Sequence, residues 1–358
     1  YVQNFNFGFQ GEVMPDLRVD LEYRGSKGTR LHAGGNVYPN QIDPKELSRG
    51  AVLTQTISTP EQAAAAGLPY PYAGFSGLGA YTLLPFPQLS SRSLSAFGDP
   101  VGNSTYHSLN LIVTKRMSKG YYLYGAYTFS KNISDVTNVA NGGGGGGIQD
   151  TYNRRAAKAV IAADRTHVIK AVMTWELPVG RNRTLLAGAG PVLNAIVGGW
   201  SLSALLNYSS GTPLGHPNSR VTPNFWNGPS IYANFTTPPG GFKRIFNPDT
   251  FNPWNAADPG NRFFDPSAFS DAAPQSLGNS PNRFPQVRML WTWNEDATLV
   301  KSFTIQERFR LLFRLEMFNI FNRHYFGSPN MNMNNAYFGN IINASGRRTG
   351  QLGARLEW

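Results

Sequence analysis

Between Phe309 and Met317, apolar side chains take every odd position: Phe309, Leu311, Phe313, Leu315 and Met317. The even positions hold Arg310, Arg314 and Glu316, with Arg308 just ahead, and only Leu312 breaks the rule. After a polar gap the alternation resumes: Leu352, Ala354, Leu356 and Trp358 against Gly353, Arg355 and Glu357. Period two places the two sets on opposite faces of a strand. A helix would scatter the arginines around its whole surface. Whatever this chain folds into must offer such strands one apolar surface and one wet one.

Composition narrows the choice. Charged residues are only 15% of the chain, against roughly 25% in a soluble domain, while aromatic residues reach 13%. Mean hydropathy is nonetheless −0.31, and no run approaches the ~18 apolar residues of a membrane helix. A helical membrane protein is excluded. A membrane β-barrel is not, because alternation dilutes its apolar residues. The chain has no cysteine, which excludes a disulfide framework and cysteine-based zinc or nucleophile chemistry. That fits an envelope protein, although a cytosolic protein can also lack cysteine. The net charge is +11, from 32 basic and 21 acidic residues. The basic residues are scattered singly, not gathered into the stripe that nucleic acid requires. No nucleic-acid partner is expected, and the basic side chains are assigned to a wet face.

The same two-faced pattern recurs along the chain. Phe5, Phe7 and Phe9 oppose Asn4, Asn6, Gln10 and Glu12. After a turn at Met14-Pro15-Asp16, Leu17, Val19, Leu21 and Tyr23 oppose Arg18, Asp20, Glu22 and Arg24. Further strands are predicted at about 106–117, 121–131, 165–177, 200–209 and 291–303, then in the two stretches already described, nine in all. The strand at 291–303 alternates less cleanly, and Lys301 marks either a bulge or a membrane rim. Long segments at about 25–103, 132–163, 210–290 and 322–350 lack sustained period; the first and third are rich in Pro and Gly, and the second holds six consecutive glycines. Glu61–Gly67 suggests a short helix, and Pro191–Val197 one or two amphipathic helical turns.

Short and long connections alternate in strict order, with the stretch 178–199 of intermediate length in a short-turn position. Transmembrane barrels have this asymmetry, with short periplasmic turns and long extracellular loops. Predicted strands of ~10–14 residues match the ~9–11 of a tilted membrane strand. The fold class expected is therefore all-β, an antiparallel transmembrane β-barrel. Single-chain bacterial barrels have even strand counts, and the chain opens on Tyr1 already inside a strand pattern. At least one further strand is expected upstream, with the C-terminus native.

Enzyme chemistry is not indicated. The histidines His32, His107, His167, His216 and His324 are far apart in sequence and form no spaced ligand pair. Gly74-Phe75-Ser76-Gly77 approaches a nucleophile elbow, but Leu78 replaces the required glycine. The glycine run 142–147 lacks the Lys-Ser/Thr ending of a phosphate loop. No catalytic, cofactor or metal residue is assigned. The candidate functional surface is the charged strand face: Arg18, Asp20, Glu22, Arg24, Arg310, Arg314, Glu316, Arg355 and Glu357. These are read as lumen-facing, either as a wet wall joined by cross-strand ion pairs or as a conductance path or plug-docking wall. Aromatic residues near strand ends, Tyr23, Phe129, Trp175, Trp200 and Trp358, suit interfacial girdles. The aromatic-rich loop from Phe225 to Phe264 either packs on itself or binds ligand, and packing is preferred.

Several segments resemble, in order, the C-terminal part of the barrel in Oar-like TonB-dependent outer-membrane receptors, the subgroup with a carboxypeptidase-regulatory-like domain. They include Tyr1-Val2-Gln3-Asn4-Phe5-Asn6, Leu21-Glu22-Tyr23-Arg24-Gly25-Ser26-Lys27-Gly28-Thr29, Asp164-Arg165-Thr166-His167, Glu176-Leu177-Pro178-Val179-Gly180, Gly198-Gly199-Trp200-Ser201-Leu202-Ser203, Ser210-Gly211-Thr212-Pro213-Leu214, Arg308-Phe309-Arg310-Leu311 and Glu316-Met317-Phe318-Asn319-Ile320-Phe321-Asn322. The resemblance implies a barrel of 22 strands, about 13 more than are read here. It also implies a plug, a TonB box and a regulatory-like domain, none of which is found in these residues. Through them it implies TonB-driven uptake of a substrate that stays open; large oligomers or peptides are compatible, and iron chelates are not indicated. The expected surroundings are outer-membrane lipid, the TonB system and the barrel-assembly machinery, the last through a terminal signal resembling Leu352-x-Ala354-x-Leu356-x-Trp358. Phe is the commoner last residue of that signal. A passive porin-like or adhesive surface barrel stays open as the alternative.

Overall fold

The computed structural model describes residues 1–32, 37–90, 94, 99–136, 148–305 and 309–358. Nine long strands follow one another: β1 (Val2–Met14), β2 (Leu17–Leu31), β3 (Gly102–Ser118), β4 (Tyr121–Ser134), β5 (His167–Glu176), β6 (Trp200–Ser209), β7 (Thr292–Ile305), β8 (Phe309–Phe318) and β9 (Thr349–Glu357). Each pairs antiparallel with the next, giving one continuous meander, and the short strand Ala159–Val160 adds to β4. Among the described residues, β1 pairs only with β2 and β9 only with β8. The barrel wall is therefore open at two edges.

Register turns the alternation of single strands into two continuous faces. One row runs Asp20, Ile112, Ala126, Lys170, Asn207, Asn294 across six strands. The adjacent row runs Leu21, Leu111, Tyr127, Ile169, Tyr208, Trp293. The first face is polar and hydroxyl-rich; the second is apolar and largely exposed, with Phe7, Phe9, Leu109, Phe129 and Phe313 all open. Such a face needs a cover, and lipid provides one without a second protein layer.

Aromatic residues mark the two borders of this face. Tyr121 and Phe129, His167 and Trp175, and Trp200 and Tyr208 each stand eight positions apart on their strands, as do Trp293 and Lys301. At ~3.3 Å per residue that is about 26 Å along a strand, the span of a tilted membrane strand. On the long-loop side, His167 stacks on Trp291 with centroids 5.8 Å apart, Trp291 on Trp293 at 5.3 Å, and Trp293 meets Tyr208 at 4.8 Å. The Tyr23 hydroxyl lies 2.7 Å from His107 Nδ1, and that of Tyr127 lies 2.8 Å from His167 Nδ1. These two histidines belong to the girdle together with the tyrosines and tryptophans read from sequence.

The strand at 291–303 is less regular for an identifiable reason. Glu295 and Lys301 both sit on the apolar face, one near each border. Register is unbroken through Lys301 against both neighbours, so there is no bulge there. Two strands outrun their predicted ends by four residues or more. β2 continues from Arg24 to Leu31 and β3 begins at Gly102. Residues 25–30 are small or polar and carry no apolar period, yet the backbone ladder with β3 persists. Gly25 has a specific role, since the Phe5 ring fills the place of its missing side chain, 2.0 Å from where a Cβ would stand.

The short connections are tight. Asp16 turns β1 into β2 at φ 65, and Lys119-Gly120 turns β3 into β4 with φ 51 and 78. Two residues at positive φ suit the right-handed twist of a hairpin. The β7–β8 connection, residues 306–308, lies outside the described residues, as does the glycine run 142–147. Between β5 and β6 stands the helix α2 (Pro191–Val197).

The long connections are folded, and the buried core of the molecule lies in them. One cluster centres on Phe263, Phe264, Phe269 and Phe284, a second on Ile42, Leu53, Phe225 and Ile231, and a third on Ile57 and Phe75 around the helix α1 (Pro60–Ala65). Among the described residues no helix is long and apolar enough to cross a membrane, which bears only on helices.

Candidate functional site

Pleat parity on β2, β8 and β9 puts all nine predicted charged residues on the polar face, but not together. Arg18, Asp20, Glu22 and Arg24 line a cleft of about 610 Å³ at the β1–β2 edge. Arg314, Arg355 and Glu357 line one of about 330 Å³ at the β8–β9 edge. Between the edges the face is nearly neutral, knitted by bonds such as Thr128 Oγ1 donating to Asn110 Oδ1 at 2.8 Å and the Thr174–Ser203 hydroxyl pair at 3.1 Å.

The ion pairs run along strands, which corrects the expected cross-strand pairing. Arg18 meets Asp20 at 2.8 Å, Arg24 meets Glu22 at 2.6 Å, Arg314 meets Glu316 at 3.4 Å and Arg355 meets Glu357 at 3.3 Å. Register explains it. Asp20 stands opposite Gln10 and Ile112, Glu22 opposite Gly8 and Asn110, and Arg314 opposite Val300 and Gly353. With neutral partners across the ladder, the closest opposite charge is two residues along the same face. Register does offer cross-strand matches at Arg18 with Glu12 and at Arg310 with Glu357, yet the carboxylate of Glu12 accepts instead from the Asp16 backbone N–H at 2.8 Å, and that of Glu357 meets Arg355. These pairs are water-exposed, so each contributes little to stability.

Where the neutral part of the polar face meets the loops there is a third cleft, of about 400 Å³, lined by Tyr106, Thr128, Asn132, Asp164, Arg165 and Lys170. Its rim is fixed by a buried salt bridge. Arg288, from the loop strand Arg283–Arg288, meets Asp164 at 2.6 Å, and the Asp164 carboxylate is 1% exposed. Arg288 also donates to the carbonyls of Asp164 and Gly211, at 3.1 and 3.2 Å. One guanidinium thus ties the β4–β5 loop to the β6–β7 loop. A second link joins Glu295 of β7 to Arg323 of the β8–β9 loop at 3.2 Å.

Above the clefts the loops are built from capped turns. Asp43, Thr59, Asn247, Asp258 and Asp265 each precede a proline and accept a bond from a backbone N–H two or three residues on, at 2.8–3.3 Å. An Asx or Thr residue followed by proline at the first helical position is a start signal. It was visible in the Pro-rich segments that periodicity alone reads as irregular. The backbone N–H of Gly260, followed by Asn252, holds the Asp258 carboxyl below its ordinary range, and the Arg220 guanidinium does the same for Asp271.

The loop aromatics mostly pack on one another. Phe225, Trp226, Tyr232, Phe246, Phe263 and Phe264 are buried, while Trp254 stands 95% exposed. His216 lies against Tyr232 with centroids 3.6 Å apart. Burial lowers the imidazole pKa to about 4 and raises the Tyr232 phenol to about 12. Among the described residues no three His, Asp or Glu side chains are placed to hold a metal.

Leu352, Ala354 and Leu356 pair with Leu315, Phe313 and Leu311 on the apolar face. Trp358 follows β9, largely exposed.

A family model described as the outer membrane beta barrel domain matches residues 1–351. No curated protein matches the sequence. Solved structures similar to the chain include the outer membrane transporter YddB from Escherichia coli, at 8% identity and TM-score 0.42 over 99% of this chain and 32% of that one. BauA, the ferric preacinetobactin receptor from Acinetobacter baumannii, is similar at 9% identity and TM-score 0.40, over 100% of this chain and 29% of that one. The ferric-catecholate import receptor Fiu from E. coli K12 is similar at 11% identity and TM-score 0.36, over 99% and 34%. The chain thus spans about a third of the length of these proteins.

Proposed function

Because the chain belongs to the outer membrane β-barrel domain family and so resides in the bacterial outer membrane, we propose that it is the wall and loop layer of a TonB-dependent receptor. It takes up a substrate through a lumen closed by a plug that other parts of the protein supply. One observation carries the reading: a two-faced meander of nine membrane-length strands whose connections are alternately tight and long. The ordered sequence motifs that resemble Oar-like receptors support the finer part. On this reading the apolar face meets lipid, and the tight turns are periplasmic. The nine charged residues face the lumen at the two edges where further strands of a longer protein join, and the neutral band between them passes polar cargo without trapping it.

The folded loop layer gives this reading a recognition surface. Its cleft opens between the polar face and the Asp164–Arg288 link, where an incoming solute first meets the lumen. The test uses the native full-length protein purified from outer membranes. A plugged receptor binds the immobilised periplasmic domain of TonB and gives no steady conductance in a planar bilayer. Steady ohmic channels without TonB binding would overturn the proposal in favour of a passive barrel. Protease added to intact cells should cut only within the long loops; cleavage at Lys119 in the β3–β4 turn of intact cells would reverse the orientation.

A further inference from the structure

The connection between β5 and β6 is longer than its companions on the turn side and carries features that a solvated turn does not need. Leu185, Leu186, Val192, Leu193 and Ile196 are all exposed, with Val192 at 77% and Ile196 at 64%. No acidic residue occurs from 177 to 200, whereas Arg181 and Arg183 are basic; Arg183 pairs with Glu176 at the end of β5, at 3.5 Å. The helix α2 in this connection is not free to swing. Lys301, on the apolar face of β7, donates to the carbonyl of Ile196 at 3.3 Å and to that of Gly198, at the C-terminal end of α2. The Trp200 indole N–H donates to the same Ile196 carbonyl at 2.9 Å. The ammonium lies over the Phe303 ring at 4.7 Å and near that of Trp200 at 5.3 Å. A lysine is thus spent on the lipid face to hold the last carbonyls of a two-turn helix, where a cation is also favoured by the helix dipole.

We infer that residues 178–199 form an interfacial membrane anchor: α2 lies in the head-group region at the turn-side border of the membrane. There Val192, Leu193 and Ile196 enter the acyl boundary, Arg181 meets lipid phosphate, and Lys301 is the tether. The occupant is lipid because this patch continues the lipid-facing surface through the very side chains, Trp200 and Lys301, that mark its border. Apolar residues beside basic ones, with no acidic residue among them, match an anionic bilayer surface. The inference rests on the outer-membrane barrel and not on a plug or on energised transport.

These 358 residues contain no cysteine, so the test uses the full-length protein, with any cysteine outside them replaced by serine, reconstituted into phosphatidylethanolamine–phosphatidylglycerol vesicles. Single variants Ile196→Cys, Val192→Cys and, as an aqueous control, Trp254→Cys carry an environment-sensitive fluorophore. Labels at Ile196→Cys and Val192→Cys should lose most of their emission to lipids brominated near the carbonyl end of the acyl chains. Iodide should quench them several-fold less than the label at Trp254→Cys. Adding Lys301→Met should release the helix and raise iodide quenching at Ile196→Cys towards the control, while heat-modifiable migration confirms that the barrel is intact. Iodide quenching equal to the control in the parent protein would overturn the inference. So would shielding from iodide without bromolipid quenching, since a protein partner would then cover the helix. Unchanged quenching in the Lys301→Met variant of an intact barrel would overturn the tether.

Discussion

Arg288 does more for the arrangement of the loops than any charge read from the strand pattern, because its partner has no water to fall back on. The Asp164 carboxylate is almost fully enclosed, and removing the cation leaves a buried charge unpaired, at a cost of about 3–5 kcal/mol. Arg288→Ala should therefore loosen the loop layer, seen as faster protease nicking within 150–290, and Asp164→Asn in the same chain should recover much of the loss. Arg314→Ala, whose pair with Glu316 is exposed, should leave nicking unchanged. His216 makes a pH prediction. Its folded pKa, about 4, lies below the ordinary value of 6.5, so the unfolded loop binds the extra proton. Stability from the neutral ring is intact above about pH 6.5 and falls as the pH drops towards 4, by about 3 kcal/mol in the limit. Loop nicking should accelerate between pH 6.5 and 5, and His216→Gln should flatten that slope. Neither residue stands out in the sequence. Arg288, His216 and Tyr232 are single polar residues in a Pro-rich segment and Asp164 closes a glycine-rich one, and burial, which gives them their weight, has no local signature.

At the scale of the element, neighbours on a strand live in different solvents. Ala204 and Ser203 are adjacent in mid-β6. Ala204 aligns with Met173 and Ala297 on the apolar face, and Ser203 with Thr174 and Thr298 on the polar one. Ala204→Arg should cost about 2–4 kcal/mol in a lipid-folded barrel, and Ser203→Arg far less, as measured by urea unfolding in vesicles. Equal costs would mean that both faces meet the same medium. Strand identity was legible wherever the apolar period continued, as at 200–209. It failed at 25–31 and 102–105, where β2 and β3 rise past the aromatic border. There only the ladder with a partner strand defines them, and a ladder is a tertiary fact. The loops failed differently. Their Asx-Pro and Thr-Pro pairs state where turns begin, as at Asp258-Pro259 and Asp265-Pro266, but not which turns stack.

For the whole molecule, the open edges at β1 and β9 set the terms on which the wall exists in a membrane. Unpaired backbone is prohibitive in lipid, so completion by further strands belongs to the proposal for the longer protein. As part of that proposal, we propose that the terminal pattern Leu352, Ala354, Leu356 and Trp358 is recognised by the barrel-assembly machinery. Trp358→Asp should abolish the heat-modifiable barrel in outer membranes; normal levels of that form would show that the pattern is not an assembly signal. By itself the sequence determined the two faces, the number and order of the strands and the alternation of short and long connections. All three follow from period-two hydropathy and turn residues, which act over a few neighbours. Only the tertiary structure decided that the charged face splits into two edge clefts with ion pairs along the strands. It alone also decided that His107 and His167 belong to the aromatic border, that the loops hold the buried core, and that Lys301 reaches across to α2. Each of these depends on which residues register, pleat and burial bring opposite one another, and that information is carried by partners far away in the chain.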